Sequence, residues 1–156
     1  MVSGVVSVGE QAPDFEAEST GGVFRLSSLR GRRVVLFFFP KAFTPGCSRE
    51  LSEFSELYEE FKRLGAEVVG VSADKVNTLR KFAKRYNAAF NLVSDPSLEV
   101  AGKYGVVGRS GKTAERVTFV IDEQGVVRAV LRDLPRAEDH PHAALEALKS
   151  LAGQQP

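Results

Sequence analysis

One cysteine stands in the run Pro40-Lys41-Ala42-Phe43-Thr44-Pro45-Gly46-Cys47-Ser48-Arg49-Glu50, and it is the only cysteine in the chain. Among ordinary side chains a thiol comes closest to being a competent nucleophile at neutral pH without a partner base. Thr44 followed by Pro45 is a helix start, with Thr44 as N-cap and Pro45 at the first helical position. Cys47 then falls at the third helical position, which a capping box gives to Glu. A thiolate there meets free backbone N–H groups and the positive end of the helix dipole. An ordinary thiol is about 3% ionised at neutral pH, so full ionisation gains at most about thirtyfold, ~2 kcal/mol. Larger acceleration requires donors aimed at charge that develops in the transition state. The plainer reading is a structural cysteine packed under a helix start, since free Cys is among the most buried residue types. Against it stand the polar turn and the flanking Gly46 and Ser48. The plain readings of Thr44 and Pro40 are a cap worth ~1 kcal/mol and a strand terminator.

A single cysteine excludes an intramolecular disulfide, a four-Cys zinc site and a thioredoxin-type dithiol, because Cys47-Ser-Arg-Glu50 offers one thiol. The two histidines, His140 and His142, could hold zinc only with carboxylates added. They flank Pro141 at a helix start, where a cap or solvent position is expected rather than a base for Cys47. Twenty-one basic and 20 acidic residues give a net charge of +1, so no global field exists to hold nucleic acid or an anionic membrane. No Gly-x-Gly-x-x-Gly is present for a dinucleotide. The longest apolar run, Val34 to Phe39, is far short of a membrane span. Met1 to Glu10 has neither the basic stretch nor the apolar core of a signal peptide, so a cytoplasmic protein is expected. The length, 156 residues, suggests one domain over 1–156.

The elements that must position Cys47 can be read around it. Residues 1–13 look like a loose lead-in ending at Pro13. Asp14–Glu18 and Val23–Leu26 flank Gly21-Gly22 as a hairpin. Val34–Phe39 is a strand buried on both faces. Leu51, Phe54, Leu57, Tyr58, Phe61 and Leu64 form one helical stripe ended by Gly65. Glu67–Ser72 is a second buried strand, Val76–Tyr86 a helix, and Phe90–Val93 a short strand. Asp95-Pro96 reads as N-cap and first helical position of a helix to Tyr104. Val117–Ile121 and Val126–Leu131 form a hairpin around Asp122–Gly125. Pro141–Leu151 is a last helix, and residues 153–156 are expected to fray. Parallel strands with helical crossovers, closed by a hairpin, give an α/β fold: a central mixed sheet with helices on both faces and an N-terminal β-hairpin. Cys47 lies at the carboxyl end of its strand, where sites of open α/β sheets form.

Pro40, Thr44 and Cys47 in the pattern Pro-x3-Thr-x2-Cys resemble the active-site signature of the peroxiredoxins. The wording Phe-Phe-Pro-Lys-Ala-Phe-Thr-Pro-Gly-Cys is similar to the bacterioferritin comigratory protein and alkyl hydroperoxide reductase E branches. Ala12-Pro-Asp-Phe15, Leu92-Val-Ser-Asp-Pro96, Tyr104-Gly-Val106 and Arg116-Val-Thr-Phe-Val-Ile-Asp122 match further family features in order. The resemblance implies a thioredoxin-like fold and a thiol-dependent peroxidase acting on hydrogen peroxide and organic hydroperoxides. It implies that Cys47 is the peroxidatic cysteine and that Thr44 and Arg116 bind the peroxide oxygens and hold the thiolate. Pro40 would shield the site, Glu50 would support Arg116, and Gly46 belongs to the same turn. It implies no cofactor and no metal. Read without the resemblance, Arg116 is a surface or structural cation at a strand start.

Many bacterioferritin comigratory proteins carry a second, resolving cysteine five residues after the first. Ser52 stands there in this chain. The chain therefore reads as a one-Cys enzyme recycled by an external thiol, either a low-molecular-weight thiol or a thioredoxin- or glutaredoxin-like protein. The alternative is a non-catalytic redox sensor or binding module in which oxidised Cys47 recruits a partner. Phe43, an aromatic in the loop, reads as a homodimer or substrate contact, or as core.

Overall fold

Six consecutive apolar residues cannot leave either face to water, and Val34–Phe39 duly lies at the centre of the sheet. The computed structural model describes residues 4–153. In chain order the elements are β1 (Glu16–Ser19), β2 (Gly22–Arg25), a short 3-10 turn (Leu26–Leu29), β3 (Arg33–Phe38), α1 (Pro45–Arg63), β4 (Ala66–Ser72), α2 (Val76–Arg85), β5 (Leu92–Ser94), α3 (Glu99–Tyr104), β6 (Val117–Ile121), β7 (Val127–Leu131) and α4 (Asp139–Gly153). The seven strands are ordered β2-β1-β5-β4-β3-β6-β7. β3, β4 and β5 run parallel, while β6 is antiparallel to β3 and to β7. The mixed sheet with an N-terminal hairpin agrees with the sequence reading.

Alternation along β3 assigns its side chains to two cores. Val34, Leu36 and Phe38 point to a layer closed by α3, the hairpin and the N-terminal segment, with Tyr104 and Phe119 against Phe38. Val35, Phe37 and Phe39 point to the layer closed by α1, α2 and α4. There Phe37 stacks on Phe54 of α1 with ring centroids 4.2 Å apart. Gly70 of β4 leaves room for that ring, since a Cβ at 70 would stand 2.6 Å from Phe37 Cζ and 2.8 Å from Leu92 Cδ2.

Three expectations are corrected. The N-terminal segment is docked rather than loose: Val6 N donates to Tyr104 O, Gly9 N to Val127 O and Ala12 N to Gly125 O. Pro96 opens a turn closed by Leu98 N on Asp95 O, and α3 starts only at Glu99. Asp95 still caps that helix, but from outside it: its carboxylate accepts from Val100 N at 3.0 Å and Ala101 N at 2.9 Å. His140, expected at a cap or in solvent, is buried. Of the end expected to fray, 153–156, Gly153 is still helical as the last residue of α4, and 154–156 lie outside the described residues.

The register between β3 and β6 positions the site. Phe38 pairs with Val117, so Arg116, one residue before β6, lies beside the point where the chain leaves β3 toward Cys47. A one-residue slip would send Arg116 to the opposite face.

Gly70→Ala tests the close packing of the central layer. We expect it to cost about 1–3 kcal/mol, read as a lower urea midpoint at unchanged slope. An unchanged midpoint would show that the layer has room to spare.

Candidate active site

The loop after β3 is held by a residue that sequence reasoning passed over. Asp74, just past β4, accepts through Oδ2 from Ala42 N at 2.8 Å and from Ser72 Oγ at 2.7 Å. Phe39 N donates to Val71 O, so the loop is tied to the end of β4 at two points. A short acidic residue following a buried strand at its carboxyl end was the available signal. Between these anchors and α1, Phe43 takes a left-handed conformation with φ 68°. For a bulky side chain that backbone state is costly and persists only where neighbours enforce it. Its ring, half in solvent, lies 5.0 Å from the ring of Phe82 on α2. Pro40, half-buried, ends the strand segment.

Thr44 occupies the N-cap position and Pro45 the first helical position, as the sequence suggests. The Thr44 hydroxyl, however, makes no cap bond and donates to Lys41 O at 2.7 Å. The free N–H groups at the start of α1 are thus left without a side-chain acceptor, facing the space ahead of the helix. The hydroxyl's lone pairs remain to accept a proton from a ligand.

Cys47 sits in the first turn with its side chain 1% exposed. Its sulfur is 3.4 Å from Arg116 Nη2. The neighbouring Nη1 donates to Glu50 Oε1, and Glu50 lies one turn beyond Cys47 on the same face of α1. One guanidinium therefore bridges two acids on one helix. Gly46 makes this possible: a Cβ there would approach Arg116 Nη2 to 3.2 Å and Ala137 Cβ to 3.5 Å. A side chain at 46 would press on the same nitrogen that faces the sulfur.

Glu50 is fully buried, and its Oε2 has no hydrogen-bond partner. Burial pushes its carboxyl up to about 8, against the pull of the Arg116 charge. A protonated Glu50 at neutral pH leaves the guanidinium charge to the sulfur. Behind this group, His140 Nδ1 lies 2.9 Å from Thr118 Oγ1. Burial, with the Arg116 cation adding to it, lowers His140 to about 4, so the ring is neutral. His142 Nε2 pairs with Glu53 Oε2 at 2.6 Å, linking α4 to α1. Among the described residues, no group of three or more His, Cys, Asp or Glu residues is placed to hold a metal. A thiol, an open helix start, a fixed cation and an accepting hydroxyl can together bind a small hydroxylic oxidant and take up charge as its bond breaks.

The AhpC/TSA family model matches residues 8–130. The chain belongs to the AhpC/TSA family. It is 37% identical over 153 residues to chloroplastic peroxiredoxin Q of Oryza sativa subsp. japonica, covering 97% of this chain and 70% of that protein. The crystal structure of peroxidoxin BcpB from Mycobacterium tuberculosis superposes with a TM-score of 0.85 at 38% identity, covering 92% of this chain and 97% of the other. A Xanthomonas campestris bacterioferritin comigratory protein, solved in trapped intermediate and ligand complexes, gives 0.83 at 32% identity over 96% and 99% of the two chains. The thioredoxin-like sheet is thus that of family structures across nearly its whole length.

The raised Glu50 value fixes the sign of a pH effect. Between its ordinary value of 4.5 and about 8, the folded chain binds a proton that the unfolded chain has released. The stability from this group is complete below that window and is lost as pH rises through it. Glu50→Gln mimics the protonated acid and cannot titrate. We expect the wild type to lose stability relative to Glu50→Gln between about pH 5 and about pH 8 in urea titrations. Parallel pH dependence of the two proteins would show that Glu50 is ionised throughout.

Proposed function

We propose that this chain, a thiol-dependent peroxidase by family, reduces hydrogen peroxide and organic hydroperoxides at Cys47 and is recycled by an external thiol. The observation that carries the reading is Arg116 Nη2 3.4 Å from the sulfur, over a helix start whose N–H groups are open. The Cys47 thiolate attacks the nearer peroxide oxygen, and the S–O bond forms as the O–O bond breaks. The leaving alkoxide or hydroxide takes a proton and departs as alcohol or water. Thr44, its proton spent on Lys41 O, accepts from the peroxide O–H and aims the oxygen at sulfur. Arg116 and the first-turn N–H groups donate to the charge that grows on the departing oxygen. Glu50 positions Arg116, Gly46 leaves space for it, and Pro40 screens the sulfur from water.

The product is a sulfenic acid, and no second thiol exists in the chain to resolve it. A thiol donor attacks Cys47 Sγ, expelling water and forming a mixed disulfide. A second thiol then releases the Cys47 thiol and leaves as a disulfide, so both electrons come from the donor. Low-molecular-weight thiols and thioredoxin- or glutaredoxin-like proteins fit this role. A reducing cytoplasm would keep Cys47 ready and supply such donors. The half-exposed Phe43 ring beside the loop supports pairing with a second copy of the chain at that edge.

Arg116→Ala should slow reaction with hydrogen peroxide more than reaction with iodoacetamide, which has no leaving oxygen to stabilise. The peroxide loss should be about a hundredfold, measured by stopped-flow. Equal losses with both reagents would restrict Arg116 to holding the thiolate.

Intact-mass measurement tests the whole cycle. One equivalent of hydrogen peroxide should consume the thiol and add one oxygen to a monomer. Excess peroxide should add a second oxygen and abolish activity, whereas a small thiol given after the first equivalent should appear as an adduct on Cys47. An unmodified Cys47 under modest peroxide excess would sink the peroxidase reading.

A further inference from the structure

The cations of this chain are unevenly spent. Between Lys75 and Ser94 there are five, Lys75, Arg80, Lys81, Lys84 and Arg85, and no Asp or Glu. That stretch carries +5, against +1 for the whole chain. All five side chains are exposed on α2 or at its start. Among the described residues none of them makes an ion pair, although Arg32, Arg33, Arg49, Arg116, Arg128 and Arg132 do. Among the described residues their only side-chain hydrogen bond is Arg80 Nη1 on Asn77 Oδ1, and Arg85 lies over the Tyr86 ring.

The arrangement works against the helix that carries it. Arg80 and Lys84, and Lys81 and Arg85, are like charges at i, i+4, which destabilise a helix. A solvated face would normally interleave acids, as α1 does with Glu53, Glu56, Glu59 and Glu60 beside Lys62 and Arg63. The helix that carries this face is also tied to the active-site loop at its start and on its buried side. Asp74, immediately before Lys75, holds Ala42 N, and Phe82 of α2 packs against Phe43.

We propose that the outer face of α2 is the docking surface for a protein thiol donor whose nucleophilic thiol is ringed by acidic residues. Charge complementarity selects this occupant: five unpaired cations beside the loop attract an acidic rim and steer its encounter with Cys47. The inference rests on the external-thiol recycling proposed above. The docked donor's thiolate attacks the Cys47 sulfenic sulfur, the S–S bond forms, the S–O bond breaks, and hydroxide leaves as water with a proton from solvent. The donor's second thiol then breaks the mixed disulfide, freeing Cys47 and closing the donor's own disulfide.

The test separates the two half-reactions. The sulfenic acid is made with one equivalent of hydrogen peroxide, and its reduction is followed by stopped-flow with an acidic thioredoxin and with neutral dithiothreitol. The proteins compared are wild type and the triple variant Lys75→Gln, Lys81→Gln, Lys84→Gln. At ionic strength of about 0.01 M, where screening reaches only beyond ~30 Å, the variant should react about tenfold more slowly with the thioredoxin. The gap should close at about 1 M salt. Dithiothreitol and peroxide should react alike with both proteins, and Lys→Arg at the three positions should keep the wild-type rate. Three results would overturn the docking surface: no loss with the thioredoxin, an equal loss with dithiothreitol, or no reduction of the wild type by the thioredoxin. An equal loss with an anionic tripeptide thiol would reassign the patch to small thiols and overturn it too. Failure of peroxide to oxidise Cys47 would show in the first half-reaction, and would remove the peroxidase reading and the docking surface together.

Discussion

Two acids on one helix face share a single guanidinium, and the site is built around that shortage of positive charge. Arg116 reaches the Cys47 sulfur with one nitrogen and Glu50 with the other. Were both acids ionised, each would have to divide the cation with the other in a buried setting, where unpaired charge is expensive. Burial eases the competition by raising the Glu50 carboxyl toward its protonated form, against the pull of Arg116, so that Glu50 orients the guanidinium while drawing less on its charge. The neutral His140 behind the site adds no second cation that would loosen this balance. Carboxyl burial, an ordinary stability cost, thereby bears on how the guanidinium is shared.

Several unrelated features of the fold exist to bring that guanidinium over the helix start. The β3–β6 register sets Arg116 beside the exit from β3. Gly46 leaves space for it beside the sulfur, where a Cβ would stand 3.2 Å from Nη2. The loop between them is forced by Asp74 and by packing of Phe43 into a backbone state that Phe would not choose alone. Helix start, strand register and loop anchor come from three separate stretches of sequence, and they agree on one point in space.

That division explains what was legible. Thr44, Pro45 and Cys47 could be read from local rules, because a helix start is a property of adjacent residues. The two-sided burial of β3 could be read for the same reason. Arg116 could not be read so: its distance from Cys47 is 69 residues, and only a strand register brings them together. Family resemblance, not residue chemistry, singled it out. Asp74 was missed because its bond to Ala42 is likewise non-local. Asp95-Pro96 misled because an Asx residue before proline begins a turn as readily as a helix, and here Asp95 does both: its backbone carbonyl closes the turn at Leu98 and its carboxylate caps α3 at Val100 and Ala101. His140 was misplaced because burial at a helix start depends on what packs over it, in this case Thr118 at the head of the sheet.

The same construction imposes a condition on turnover. Cys47 is 1% exposed, which leaves little room for a thiol donor, whose sulfur must approach along the axis of the bond it breaks. Reduction of the sulfenic acid therefore calls for more access to Cys47 than this closed arrangement gives. At its start the first turn is held by Ser48 N on Thr44 O, by Thr44 N and Oγ1 on Lys41 O, and by Arg116 on the sulfur itself. Conversion of the sulfur to a sulfenic acid changes the group that Arg116 faces at one of these ties. The strained backbone at Phe43 stores free energy next to the same turn, on the side facing the cationic helix α2. The closed arrangement suits attack on a small peroxide, and access for a thiol donor is decided at this turn and the loop packed against α2.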